Sequence, residues 1–328
     1  MKNLIHNKLF WRIPVILLAA VILAECSLRF GLGLGNPALV QADVQTGYRF
    51  QPNQNIWRFG KQIIYNQYSQ RSEPIELEKS PDSFRILMVG DSVLNGGNPI
   101  DQSDIISEIL ENYLENSGHR AEVLNASSGS WGLGNQKGYI EKFGLFDSDP
   151  IILQIGVHDL LQPTSTSDAV GSIYFPNRRP ILAISEAWTR YLWPRVRQRI
   201  PLNTPRAEIP VAQLDPKAQF QENMQTFGQM VNLIRSSNRS VLVLFTPNRF
   251  DLLPTPKTPP YSEEFLTQLA SENIPVIDAY QVWSDLPPET IASFFRDSVH
   301  LNATGNREVA ALICDYLNSS EQLPSCVK

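Results

Sequence analysis

FRILMVGDS, residues 84–92, is the stretch on which the fold turns. An apolar run at 86–89 meets a glycine and then two small polar residues, which is how a strand buried on both faces ends. Runs of the same kind recur at 122–124, 151–155, 241–245 and 275–277. Between them the apolar spacing changes to threes and fours, predicting helices over 104–116, 135–143, 219–235, 263–271 and 303–317. Ile105, Ile109, Tyr113 and Leu114 share one face of the first, and Phe220, Met224, Phe227, Val231 and Ile234 one face of the third. Strand–helix alternation with crossovers this long predicts an α/β protein with a doubly wound sheet of about five parallel strands flanked by helices.

Ser92 stands directly after the first of these strands, and the carboxyl ends of strands are where ligands bind in open α/β sheets. Far downstream, Asp297-Ser-Val-His300 precedes the closing helix. That spacing lets both side chains project from one turn. A serine hydroxyl is a weak nucleophile until a histidine takes its proton and a carboxylate fixes the imidazole tautomer. Ser92, His300 and Asp297 fill those three roles, in the chain order Ser, Asp, His.

The 328 residues are 42% apolar, enough for a full core, and the net charge of −5 argues against a nucleic-acid binder. Three cysteines without Cys-x-x-Cys spacing and only four histidines argue against structural zinc, and no cofactor is implied. Cys314 and Cys326 either pair across the C-terminal tail or remain thiols.

Lys2, Lys8 and Arg12 precede an uncharged run, 13–24, followed by Glu25 and Arg29. The run falls short of the roughly 20 residues a span needs, but residues 9–11 and outward-reaching Arg12 and Arg29 extend it. A basic leader predicts a cytoplasmic N-terminus and an exported, periplasmic remainder. A cleaved signal peptide competes, though no Ala-x-Ala site follows cleanly. So does a lipoprotein box at Leu23-Ala24-Glu25-Cys26, in which Glu25 fits poorly.

The expected organisation is a leader and signal anchor (1–29), a connecting segment with a strand or two packed on the main domain (30–83), that domain (84–318) and a tail (319–328). Residues 162–217 interrupt the main domain. There Trp188, Tyr191 and Trp193 interleave with Arg190, Arg195, Arg197 and Arg199. The segment reads as a cap over the cleft, a face on the membrane interface, or a packed insertion with a solvated basic side.

With Gly90-Asp91-Ser92 and Asp297-x-x-His300 in place, residues 84–318 resemble the SGNH (GDSL-like) hydrolase superfamily, flavodoxin-like esterases and related acyl-transfer enzymes. The resemblance implies Ser92 as nucleophile, His300 as general base and then acid, and Asp297 as orienting carboxylate. It also implies an oxyanion hole made of the Ser92 N–H, a glycine N–H from a second block and an asparagine side chain from a third. In the second block, Asn125-Ala-Ser-Ser-Gly129-Ser130-Trp-Gly132, Gly129 is the expected donor, free to approach closely and to take a positive φ, with Ser130 N–H as the substitute. The third block, Gly156-Val157-His158-Asp159, carries histidine where the family has asparagine. His158 can still donate an N–H, so the change keeps the oxyanion hole, makes it pH-dependent, or marks its loss. Asp159 is a candidate to fix that imidazole and Asp91 to brace the nucleophile loop. His119 reads as part of a surface turn.

The resulting expectation is a membrane-anchored extracytoplasmic serine esterase cleaving an O-acyl ester on an envelope or secreted polysaccharide. A lipid ester is a further substrate possibility, and no protein partner is indicated. The substrate rests on compartment and analogy alone. An O-acetyltransferase would use the same triad, and a non-catalytic glycan-binding envelope module is the alternative that His158 motivates.

Overall fold

The computed structural model describes residues 2–199, 215–320 and 324–328. Residues 200–214 of the insertion, and the side chains of residues 2–11, 198 and 199, lie outside that description.

A helix, Lys2–Cys26, runs on through a π-helical turn, Ser27–Gly31. Within it Arg12–Gly31 is long and apolar enough to cross a membrane, with a mean hydropathy of 2.1 and none of it buried. Two antiparallel hairpins follow: β1 (Val40–Asp43) with β2 (Gly47–Phe50), and β3 (Gln54–Arg58) with β4 (Lys61–Tyr65).

The main sheet is parallel throughout. Its strands β5 (Ser83–Gly90), β6 (Arg120–Ser127), β7 (Pro150–Gly156), β8 (Ser240–Thr246) and β9 (Val276–Asp278) stand in the order β6-β5-β7-β8-β9. This is the doubly wound five-stranded sheet that the apolar runs predict. Strand order reverses around β5, so the crevice at the carboxyl ends of β5 and β7 is the switch point where such folds bind ligands.

Side chains alternate across each strand. β5 therefore sends Ile86 and Met88 to one face and Leu87 and Val89 to the other, all fully buried. The first face is covered by helices Ile106–Asn116, Ala279–Trp283, Pro288–Phe294 and Ala303–Ser319, the second by Leu133–Phe143, Pro216–Ser236 and Ser262–Ser271. Helix Pro216–Ser236 buries Met224, Phe227, Val231 and Ile234 and starts sharply. Asp215 accepts the Lys217 N–H at 3.1 Å, and a proline occupies the first turn. Helices Ala279–Trp283 and Pro288–Phe294 have five and seven residues, too few for a helical period to be read from the sequence.

Cys314 and Cys326 form a disulfide that ties the tail to the closing helix, Cα to Cα 5.4 Å. The insertion contributes a helical path of α-helix Ala183–Glu186, π-helix Ala187–Leu192 and α-helix Trp193–Arg199. It is joined to β3 by an ion pair between Arg58 and Glu186, both buried.

Candidate active site

The turn that carries Ser92 is built where β5 ends. A Cβ on Gly90 would come within 2.5 Å of Gln154 Oε1, so the glycine is what lets this β7 side chain cross the strand end. Gln154 then accepts the Asp91 N–H at 3.1 Å and donates to Thr246 Oγ1 at 3.1 Å, stitching β5, β7 and β8 together. Asp91 caps a single helical turn, Ser92–Asn95, by accepting the Val93 N–H at 2.8 Å. Ser92 is the first residue of that turn. Arg71, fully buried, holds the loop beyond it through the carbonyls of Asn95, Gly97 and Ile100.

His300 comes from the loop before the closing helix. Asn302 caps that helix by accepting from Thr304 and Gly305, and a bridge between Phe295 and Leu301 pinches the loop shut. Inside it, Asp297 Oδ1 accepts the Val299 and His300 N–H groups at 2.9 and 2.7 Å. His300 Nδ1 lies 2.9 Å from Asp297 Oδ2, and His300 Nε2 lies 2.9 Å from Ser92 Oγ. The three expected residues thus form one hydrogen-bonded chain at the switch point. Partial burial alone would raise the pKa of Asp297, but the two backbone N–H groups and the imidazole outweigh it and hold the carboxyl below its usual range.

Ser92 and His300 open into a cleft of about 190 Å³ whose walls include Gly129, Phe175, Arg190 and Arg296. Gly129 is therefore beside the nucleophile, but the positive φ expected of it falls on the next residue, Ser130, at 58°. The Gly129 carbonyl accepts from the Tyr48 hydroxyl, which burial pushes up to about 12 and so keeps protonated. Arg296, unremarked in the sequence although it adjoins Asp297, reaches into the cleft and donates to Gly96 O at 2.7 Å. A larger depression of about 470 Å³ lies at the other end of the strands, lined by Phe84, Pro150, Ser240 and Pro275, away from the triad.

His158 sits behind Ser92, with its ring nitrogens turned to other partners. Its ring folds back over Gly156, where a Cβ would meet the imidazole at 2.5 Å. Nε2 lies 2.6 Å from Asp91 Oδ2 and Nδ1 3.1 Å from Asn248 Oδ1. Both ring nitrogens are thus engaged by side-chain oxygens. Burial would lower the His158 pKa, but the charges of Asp159 and Asp91 and the bonds to Asp91 and Asn248 prevail and hold it up at about 10. The residue that fixes the imidazole is Asp91; Asp159 Oδ1 stands off at 3.8 Å. Asp159 instead accepts the Gly156 N–H at 2.7 Å, and its Oδ1 is buried without a hydrogen-bond partner among the described residues. Burial and the neighbouring Asp91 push its pKa up to about 8.

Asp91, His158 and Asp159 bring candidate ligand atoms within 4.8 Å of one another. As arranged His158 and Asp91 are hydrogen-bonded, since two ligands on one zinc-sized ion stand roughly 3.3 Å apart, wider than the 2.6 Å between these two side chains. His119 contacts Ser325 Oγ at 3.3 Å, far along the chain from any of these residues.

The GDSL-like lipase/acylhydrolase family profile matches residues 88–308. Among solved structures, a member of the lipolytic protein G-D-S-L family from Veillonella parvula is 17% identical with a TM-score of 0.45, covering 73% of this chain and 100% of that one. The lipase/acylhydrolase from Enterococcus faecalis is 16% identical with a TM-score of 0.44, covering 72% of this chain and 96% of its own. A comparison with curated proteins found no match. The profile spans well over half of the chain and takes in both Ser92 and His300, so the chain belongs to the GDSL-like lipase/acylhydrolase family and is an SGNH-type hydrolase acting on ester bonds.

Proposed function

We propose that this hydrolase cleaves a short O-acyl ester, on an envelope or secreted polysaccharide, through an acyl-enzyme on Ser92. The observation that carries the reading is the continuous chain from Ser92 Oγ to His300 Nε2 and from His300 Nδ1 to Asp297, each link 2.9 Å. His300 takes the Ser92 proton as Oγ attacks the ester carbonyl, then returns it to the departing alcohol. Water, activated by the same imidazole, releases the acyl group, and Asp297 stabilises the imidazolium at each stage. The Ser92 and Gly129 N–H groups are the oxyanion donors in this reading. His158 is a brace that acts through Asp91.

The cleft supports a short acyl group. Its volume of about 190 Å³ lies below the roughly 300 Å³ at which pockets begin to enclose drug-sized ligands. Tyr174 and Phe175 in its wall offer ring faces to a sugar, and Arg190 and Arg296 offer donors to its oxygens.

A retained N-terminal anchor, with an extracytoplasmic catalytic domain, is supported by contacts beyond the apolar helix. Glu25 accepts the backbone N–H groups of Ala183 and Ile184 at 2.9 and 3.0 Å. Cleavage before Cys26 would remove that carboxylate from the folded domain. The Cys314–Cys326 disulfide suits an oxidising compartment.

The test is fluorophosphonate labelling of the full chain in detergent, with Ser92→Ala alongside and mass spectrometry to locate the adduct. Labelling of Ser92 that vanishes in the variant is the expected result. A folded wild type that stays unlabelled would overturn the catalytic reading and favour a binding module.

A further inference from the structure

The insertion helix has two unlike sides. Toward the protein, Ala183 and Glu186 are buried, and Glu186 pairs with Arg58 and accepts the Gly35 N–H at 2.6 Å. Away from it, Ile181 is 92% exposed, Leu182 49%, Trp188 49%, Leu192 50% and Trp193 40%. The rings of Trp188 and Trp193 lie 6.0 Å apart, exposed Arg178 and Arg179 line a surface depression with Ile181, and Arg195 is exposed two residues beyond Trp193. A water-facing helix does not normally carry such a set. Tryptophan and leucine flanked by arginine are what the headgroup boundary of a bilayer selects.

The height of this face is set by the apolar N-terminal helix. Glu25, in the last turns of the Arg12–Gly31 segment, holds the first two N–H groups of the insertion helix. Arg29 pairs with Glu25 at 2.6 Å and donates to Ile181 O at 2.9 Å. The start of the insertion helix is therefore fastened to the residues at which a span would leave the membrane. Phe30 and Leu32, exposed at the same junction, extend the apolar surface from one helix to the other.

We propose that the face carrying Ile181, Leu182, Trp188, Leu192 and Trp193 is a second membrane contact, lying in the headgroup region of the bilayer that the N-terminal helix crosses. The inference rests on the anchor reading above. Its occupant is the lipid itself, with anionic headgroups pairing with the exposed arginines. The opposite side of the same helix puts Arg190 into the wall of the catalytic cleft, so this contact also holds the cleft close to the membrane surface.

The test is tryptophan quenching by brominated acyl chains, using the full chain reconstituted one copy per nanodisc in a phosphatidylglycerol and phosphatidylcholine mixture. A second copy and a protein partner are then both absent. Trp188→Phe/Trp193→Phe and Trp11→Phe variants apportion the signal, since Trp11 adjoins the start of the apolar segment. The expected result is quenching that falls in both variants. Quenching lost entirely in Trp11→Phe and unchanged in the double variant would overturn the second contact while sparing the anchor. No quenching in any version would overturn both. Because Trp188 and Trp193 are exposed, the double variant folds as the parent does, which thermal melting checks.

Discussion

Two Asp–His pairs flank one turn of this protein, and they are built for opposite tasks. In front, Asp297 and His300 approach to 2.9 Å with side chains 47% and 30% exposed. Behind, Asp91 and His158 approach to 2.6 Å with side chains 0% and 25% exposed. The front imidazole answers to one carboxylate and opens on the cleft, the placement that the proposed acid–base role requires. The rear imidazole sits between Asp91 and Asp159, whose charges help to raise its pKa to about 10, so it is charged at neutral pH. The same two residue types suit the proposed acid–base role in one place and a held cation in the other, according to how many carboxylates surround them and how much water reaches them.

The comparison breaks most easily at the front. His300→Ala should lower kcat on a short-chain aryl ester by on the order of 10⁴-fold or more, and Asp297→Asn by about 10⁴-fold, as in other serine triads. Neither change should move the thermal midpoint much, because both side chains are partly exposed. An unfolded His300→Ala, or one that retains turnover, would mean that the front pair is the structural one.

Behind the nucleophile the expected loss is of stability. His158→Ala leaves the fully buried Asp91 without its partner, which should cost about 3 kcal/mol in urea unfolding. His158→Asn should cost less, because an amide can still donate to Asp91. A loss of roughly 10²- to 10³-fold in kcat at unchanged stability would instead identify His158 as an oxyanion donor.

How much of this was legible differs between the two sides. The sheet, the long helices and the front triad could be read because each is periodic or local: apolar runs mark the strands, and Asp297 and His300 share one loop. The rear cluster is assembled from the ends of β5, β7 and β8, and only the strand order brings Asp91, His158 and Asn248 together. One trace was present, since Gln154 interrupts an otherwise apolar strand and turns out to tie those ends. Position 158 invited a reading by analogy with asparagine, but an imidazole is longer, folds back over Gly156 and finds Asp91 first. The hairpins in residues 30–83 were only partly foreseen, because their short strands alternate weakly and take their order from docking. Tyr48 on Gly129 and Arg71 on the loop after Ser92 are examples of that docking.

The smallest effect expected separates the two pairs by pH. The folded pKa of His158 is raised from 6.5 to about 10, so the stability it contributes is complete below about pH 6.5 and is lost as pH rises through 10. Asp159 is raised from 3.8 to about 8, so the folded state again holds its proton more tightly, and that contribution also disappears on the alkaline side. Asp297 has the opposite sign: its pKa is depressed, so what it contributes is present at neutral pH and lost only in acid. Urea midpoints of wild type and His158→Asn between about pH 6.5 and about pH 10 isolate the rear cluster, since tyrosine and lysine titrations are common to both and cancel. The wild type should lose more over that window than the variant does. Parallel curves would show that no raised imidazole is titrating behind Ser92, and the distinction between the two pairs would then rest on burial alone.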